Sequence, residues 1–182
     1  MRMLKGMVEA QRGASLIEVL VAMLITTVGL LGFAALQSRA LNATEDSYLR
    51  AQATTLAQDM MERMRTNSVT PDRQSNAALS LGAVEYVKAS NWTGTAASVD
   101  CLGAGKVCTE VQMALYDITQ VRAAVQSALP NGSIFVDNCA DDADQLCVFV
   151  AWGDDTASAC AAAGGILSGG LAMQQCVVIQ GT

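Results

Sequence analysis

Hydrophobic and polar positions are spread unevenly along this chain, and the unevenness predicts its elements. Val19 to Ser38 is a run of 20 residues without a charge. It is preceded by a single carboxylate, Glu18, in the stretch RGASLIEVL that spans Arg12–Leu20. Twenty helical residues rise about 30 Å, the thickness of a bilayer's hydrocarbon core. The helical pattern does not stop there. No Pro or Gly occurs from Leu36 to Met64. Leu49, Ala53, Leu56, Ala57, Met60 and Met64 recur at spacings of three and four, one apolar stripe. Asp46, Arg50, Asp59, Glu62, Arg63 and Arg65 supply polar positions around it. The pattern predicts one helix from about Ala14 to about Thr66, with Gly29, Gly32 and Thr26-Thr27 softening its first half. That half is apolar all round and belongs in a membrane or a filament core. The second half is apolar on one side and should carry a globular domain there.

Pro71 ends the helical region, and residues 67–100 read as loop with short elements. Val107 to Leu115 reads as a strand. Asp117-Ile118-Thr119-Gln120 resembles a capping box, followed by the stripe Ile118, Val121, Val125, Leu129. Pro130-Asn131-Gly132 stops that helix. Ser133–Asp137, Cys147–Trp152 and Cys176–Gln180 are β-branched or aromatic runs bounded by turn residues. They predict a small antiparallel sheet, and the Ala/Gly-rich stretch 157–172 reads as a loop. The fold class expected is α+β: a long N-terminal helix on a small antiparallel sheet.

Composition changes this picture in three ways. Aromatic residues make up only 4% of the 182, so the core must be built mostly from small aliphatic side chains. The formal charge of −6, with no basic stripe, argues against nucleic acid as a partner. Histidine is absent, which removes the commonest general base and metal ligand. No G-x-S-x-G elbow occurs, and a Ser-Lys pair using Lys88 or Lys106 has no supporting motif. The sequence therefore nominates no catalytic residue, no cofactor and no enzymatic activity. A membrane-anchored periplasmic enzyme or a calcium-binding domain stands as the distant alternative.

Residues 1–13 carry Arg2, Lys5 and Arg12 against Glu9. Positive charge before an apolar run keeps that end in the cytoplasm and sends the rest across. The cysteines agree. Cys101, Cys108, Cys139, Cys147, Cys160 and Cys176 all lie beyond the run, and their even number reads as three disulfides in an oxidising compartment. No C-x-x-C occurs, so a zinc site has little support. Six cysteines allow 15 pairings. Each neighbouring pair brackets a stretch rich in Gly, Ala or Asp, so the expected set is Cys101–Cys108, Cys139–Cys147 and Cys160–Cys176. Loops of this size restrict the unfolded chain by roughly 2.5–3 kcal/mol each. A bond from Cys139 or Cys147 across the sheet to Cys176 is the alternative.

Two further clusters invite functional readings. Asp137, Asp141, Asp142 and Asp144, with Asp154-Asp155 beyond, could present carboxylates to calcium. Their spacing lacks the glycine and terminal glutamate of an EF-hand loop, so a solvated, disulfide-closed acidic loop is the preferred reading. Met60, Met61 and Met64 sit at helical spacing and read as core filler rather than as a binding patch.

The stretch RGASLIEVLVAMLI, Arg12 to Ile25, resembles the N-terminus of type IV pilins and pseudopilins. That family motif is a basic leader ending in glycine, a Ser/Thr, a leucine, a glutamate and then an apolar helix. Ala14 departs from the phenylalanine usual after the glycine. An ordinary signal peptide cleaved near Gly32-Phe33-Ala34 is the rival. Glu18 and the uninterrupted helix beyond it count against that. More weakly, SLIEVLVAMLI, DMMERMR (Asp59–Arg65) and LPNG (Leu129–Gly132) before CVFVAWG (Cys147–Gly153) resemble the PilV-type minor pilins.

The resemblance implies the type IV pilin fold. It implies a leader at 1–13, a transmembrane or filament-core helix at 14–38, its amphipathic half at 39–66 and a periplasmic head at 67–182. Prepilin peptidase would cut after Gly13 and methylate the new amine of Ala14. The mature chain would keep 169 of the 182 residues, with eight Lys/Arg against sixteen Asp/Glu, a formal charge of −8. A minor pilin of this type belongs to a tip complex that primes assembly and helps present an adhesin. Its partners would be other minor pilins, the major pilin, the tip-associated adhesin, the inner-membrane assembly platform and, before assembly, membrane lipid. The alternative is a minor pseudopilin of a type II secretion system.

Physics assigns Glu18 its role in such a filament. A carboxylate deep in a bilayer costs several kcal/mol and needs a partner. Glu18 lies four residues beyond the mature amine of Ala14, on the same side of the helix. Between staggered subunits it would meet a neighbour's amine instead. A matched pair recovers desolvation cost that an unpaired charge does not. Glu18 then acts as a register pin in assembly, against the alternative of a side chain that snorkels to the headgroups.

Overall fold

A computed structural model describes residues 13, 15–67, 81–94, 99–142, 145–164 and 175–181. Ala14, the leader before Gly13, Pro71, Asp144 and residues 165–172 of the expected loop lie outside the described residues. The chain divides into two compact units, 1–45 and 46–182.

Unit 1 is the first part of helix α1, Leu16–Thr66. Ser15 O accepts the N–H groups of Glu18 and Val19 at 3.0 and 3.3 Å and so starts the helix. Thr26 and Thr27 turn their hydroxyls back to the carbonyls of Ala22 and Leu24, at 2.6 and 2.8 Å. The threonines thereby satisfy themselves within the helix, as an apolar environment requires. No residue from Leu16 to Tyr48 is buried.

Unit 2 contains the rest of α1 and all other elements. Ala53, Ala57, Met60 and Met64 on the expected stripe are fully buried, and Leu49 and Leu56 are half-buried beside them. Short helices α2, Leu81–Val87, and α3, Ala89–Thr93, lie within the stretch expected to be mostly loop. Helix α4 covers Glu110–Ala128. This corrects the strand expected at Val107–Leu115. It also corrects the cap expected at Asp117, which sits inside the helix.

The reason is a stronger start signal upstream. Thr109 Oγ1 accepts the Gln112 N–H at 3.3 Å, and Gln112 Oε1 accepts the Thr109 N–H at 3.0 Å, a reciprocal capping box. Helix formers at Glu110, Gln112, Met113, Ala114 and Leu115 then outweigh the β-branched valines at 107 and 111. Thr109→Ala should cost about 1 kcal/mol. A fall of a few degrees in the thermal midpoint, with the secondary structure retained by circular dichroism, checks it; no change would show that the cap is redundant.

Ile118, Val121, Val125 and Leu129 are buried as one face. The chain then reverses at Pro130-Asn131-Gly132, where Asn131 has φ +52°. A Cβ on Gly132 would meet Leu129 Cβ at 2.9 Å and the Val125 carbonyl closer still, so glycine is required there.

Strands β1, Ser133–Asn138, β2, Leu146–Ala151, and β3, Cys176–Gln180, form one antiparallel sheet in the order β1-β2-β3. Ser133 lies opposite Ala151, and Cys147 opposite Gln180. Every residue of β2 is buried, as its unbroken apolar run demands of a central strand covered on both faces. Ile134, Val136, Val148 and Val150 face the main core with the α1 and α4 stripes. Cys147, Phe149, Ala151 and Cys176 face a second cluster with Ala157 and Cys160. The latter two lie on helix α5, Ala157–Ala162, capped by Thr156, where a loop was expected from 157.

Candidate functional site

Two features stand out. The first is the exposed N-terminal part of α1. Its most apolar 18-residue window has a mean hydropathy of 2.4, and none of that window is buried. By length and composition the helix can cross a bilayer. Leu16 is 78% exposed, Leu31 71% and Phe33 60%. Apolar surface on this scale marks a membrane or protein contact. Glu18 stands in the first turn of this helix, and Gly13 is exposed just before it. Ala14 lies outside the described residues, so the approach of its amine to Glu18 is not part of the structure.

The second feature was missed in the sequence. Asp117 is the one charged residue buried among those described, at 5% exposed. It projects from the buried face of α4, three residues from Ala114 and four from Val121. Arg63, near the end of α1, donates Nη1–H to Asp117 Oδ1 at 3.1 Å and Nε–H to Asp59 Oδ2 at 3.0 Å. Tyr86 of α2 donates its hydroxyl to Asp117 Oδ2 at 2.7 Å. Asn67 donates to the Tyr86 hydroxyl at 3.3 Å and to the Glu110 carbonyl at 2.9 Å. One carboxylate thus joins α1, α2 and α4, with both oxygens engaged.

Burial, and then the hydrogen bond to Asp117, push the Tyr86 phenol well above its ordinary value. The folded state therefore keeps this proton where the unfolded chain loses it, and stability falls as pH rises above about 10. Around this junction, Trp92 donates Nε1–H to Tyr86 O at 2.6 Å, and Arg122 donates to Gly94 O at 2.7 Å. Arg50 of α1 stacks over Trp152, 5.7 Å from its ring centre. Nothing here activates a nucleophile. The carboxylate is spent on an ion pair and a phenol, so the arrangement is a clamp.

The structure joins Cys101 to Cys108, Cys139 to Cys147 and Cys160 to Cys176. Met60, Met61 and Met64 are buried in the core. Among the described residues no group of three or more carboxylate, Cys or His side chains is placed to hold a metal ion. Asp137 Oδ1 accepts the Asn138 N–H at 2.8 Å, and Asp155 Oδ2 accepts the Gln175 N–H at 3.2 Å. Both acids serve local backbone.

Two family models match the chain. One, described as a prokaryotic N-terminal methylation motif, matches residues 10–34. The other, described as type IV pilin Tt1218, matches residues 35–119. The first covers Gly13, Ala14 and Glu18; the second runs from the apolar helix through Asp117. Searches of curated proteins and of solved structures found no match.

Proposed function

We propose, for a chain whose matches support a type IV pilin family, that it is a minor pilin of a type IV pilus. In this reading it belongs to a tip complex that primes pilus assembly and helps present a tip adhesin. Type IV pilins are structural subunits rather than enzymes, and the methylation motif implies prepilin peptidase and pilin partners. The observation that carries the reading is the bare apolar helix directly behind a processing motif. Such a helix is costly in water and stable only in lipid or among like helices.

The chain then begins as a single-pass inner-membrane protein. Residues 1–13 are a cytoplasmic leader, 14–38 the buried helix, 39–66 its amphipathic half and 67–182 the periplasmic head. Prepilin peptidase removes the leader after Gly13 and methylates Ala14. The helix passes from bilayer to filament core, the assembly platform and neighbouring pilins replacing lipid around it. The three disulfides suit a head that stays in oxidising surroundings.

Mass spectrometry of the chain from membranes and sheared filaments tests the reading. The expected species starts at N-methylated Ala14 and occurs in both fractions, far below one copy per major pilin. A start after Ala34 or Ala35 would mean signal-peptide cleavage and a secreted protein.

A further inference from the structure

Strand β3 forms one edge of the sheet. The hydrogen bonds from Gly181 N to Leu146 O and from Trp152 N to Gln175 O, both 3.0 Å, fix which β3 residues turn toward β2. Antiparallel pairs alternate between bonded and non-bonded. The register then places Val177 and Ile179 in bonded pairs with Val150 and Val148. Val178 and Gln180 fall in the non-bonded pairs, so their N–H and C=O groups point away from the sheet. Among the described residues, none bonds to them.

An open edge is a template for another strand, and edges are ordinarily guarded by Lys, Pro, a bulge or a covering helix. The opposite edge is guarded. β1 carries Asp137, and Ser133 Oγ on it accepts the Ala157 N–H of α5 at 2.9 Å. Among the described residues, β3 has no such device. Cys176 to Gly181 contains no charge and no proline. Val177 and Ile179 pack on the main core yet remain half-buried. Beside the edge, Phe149, Val178, Gln180 and the Cys139–Cys147 pair line a cleft of about 240 Å³.

We propose that β3 receives an extended segment from another subunit of the filament, which adds a fourth, antiparallel or parallel strand to this sheet. Backbone groups of Val178 and Gln180 supply the hydrogen bonds. Apolar side chains at alternate positions of the incoming strand complete the burial of Val177 and Ile179, while the intervening ones face the cleft. The donor is a different subunit rather than a second copy. Neighbours along a helical filament meet through unlike surfaces, whereas a β3–β3 pair would be a closed two-fold contact. The inference rests on the filament reading above.

The test uses the full-length chain. Val178→Pro removes an outward N–H and leaves the β2–β3 ladder intact, as proline permits at an edge. The variant should be processed and should keep the wild-type thermal midpoint within about 2 °C, while its share in sheared filaments falls at least roughly tenfold. Val178→Lys, which keeps every backbone bond, should do the same and stands in where the proline variant fails to fold. Hydrogen exchange read by mass spectrometry should show the amides of Val178 and Gln180 slowed at least roughly tenfold in filaments relative to detergent-solubilised chain. Wild-type incorporation of a folded variant, equal exchange in both states, or a crosslink from β3 to β3 of a second copy would each overturn the proposal alone. Absence of the wild-type chain from filaments would overturn the filament reading and take this one with it.

Discussion

Glu18→Ala should leave a chain that is inserted, cut after Gly13 and stable in the membrane, yet nearly absent from filaments. The substitution deletes the one carboxylate in the apolar segment, so insertion into lipid becomes easier, not harder. Assembly is where the loss falls. In the proposed filament core the amine of a neighbouring Ala14 would have no counter-charge, and an uncompensated buried charge costs roughly 3–5 kcal/mol. Even the lower figure corresponds to about a hundredfold in an association equilibrium. Quantitative immunoblotting of membrane and sheared-pilus fractions separates the two stages. Glu18→Gln should behave like the alanine variant, since it keeps the shape without the charge. Full piliation with normal recruitment of other minor pilins would show that the carboxylate is dispensable and that it merely snorkels.

The second large effect is expected at Asp117. In Asp117→Ala, Arg63 and the Tyr86 hydroxyl lose a shared partner at 3.1 and 2.7 Å. Arg63 keeps Asp59, and its side chain is 34% exposed, so water offsets part of the loss. The buried phenol has Asn67 as its remaining partner. Together these changes should cost roughly 3 kcal/mol, the low end for a broken buried pair. For a domain of this size that lowers the thermal midpoint by about 10 °C. Asp117→Asn retains an acceptor for Tyr86 and loses the ion pair, so it should fall between the two. Thermal unfolding of the three chains in one detergent decides the matter. A midpoint for Asp117→Ala within about 2 °C of wild type would mean that the junction is held by its apolar neighbours alone.

The long helix, the stripe that carries the head and the three strands were legible because each rests on strong periodicity or on β-branched runs with clear boundaries. Val107–Leu115 was misread because two valines mimic strand alternation. The Thr109–Gln112 box about two turns upstream was passed over in favour of the similar Asp117–Gln120 pattern. The same slip hid the clamp. Read as a cap, Asp117 needed no partner; read on the stripe Ala114, Ile118, Val121, it is a carboxylate in the core and must have one. Which partner it finds depends on bringing residues 31 and 54 positions away to one point, and no local pattern encodes that. The α5 turn within the Ala/Gly-rich stretch was marked only by Thr156. At the N-terminus the sequence carries a motif that a family model matches over residues 10–34; in the proposed pilin its residues answer to a peptidase and to lipid rather than to the packing of the head.

The cysteines carry a consequence for biogenesis. Their separations are 7, 8 and 16 residues, and each pair closes before the next cysteine appears in the chain. A polypeptide threaded outward behind its N-terminal helix exposes Cys101 and Cys108 first, then Cys139 and Cys147, then Cys160 and Cys176. Oxidation in order of emergence therefore yields the final connectivity, with no crossed bond to undo. In the proposed membrane-anchored chain, maturation should depend on an oxidant and little on an isomerase, so the head can lock section by section while the membrane still holds its other end.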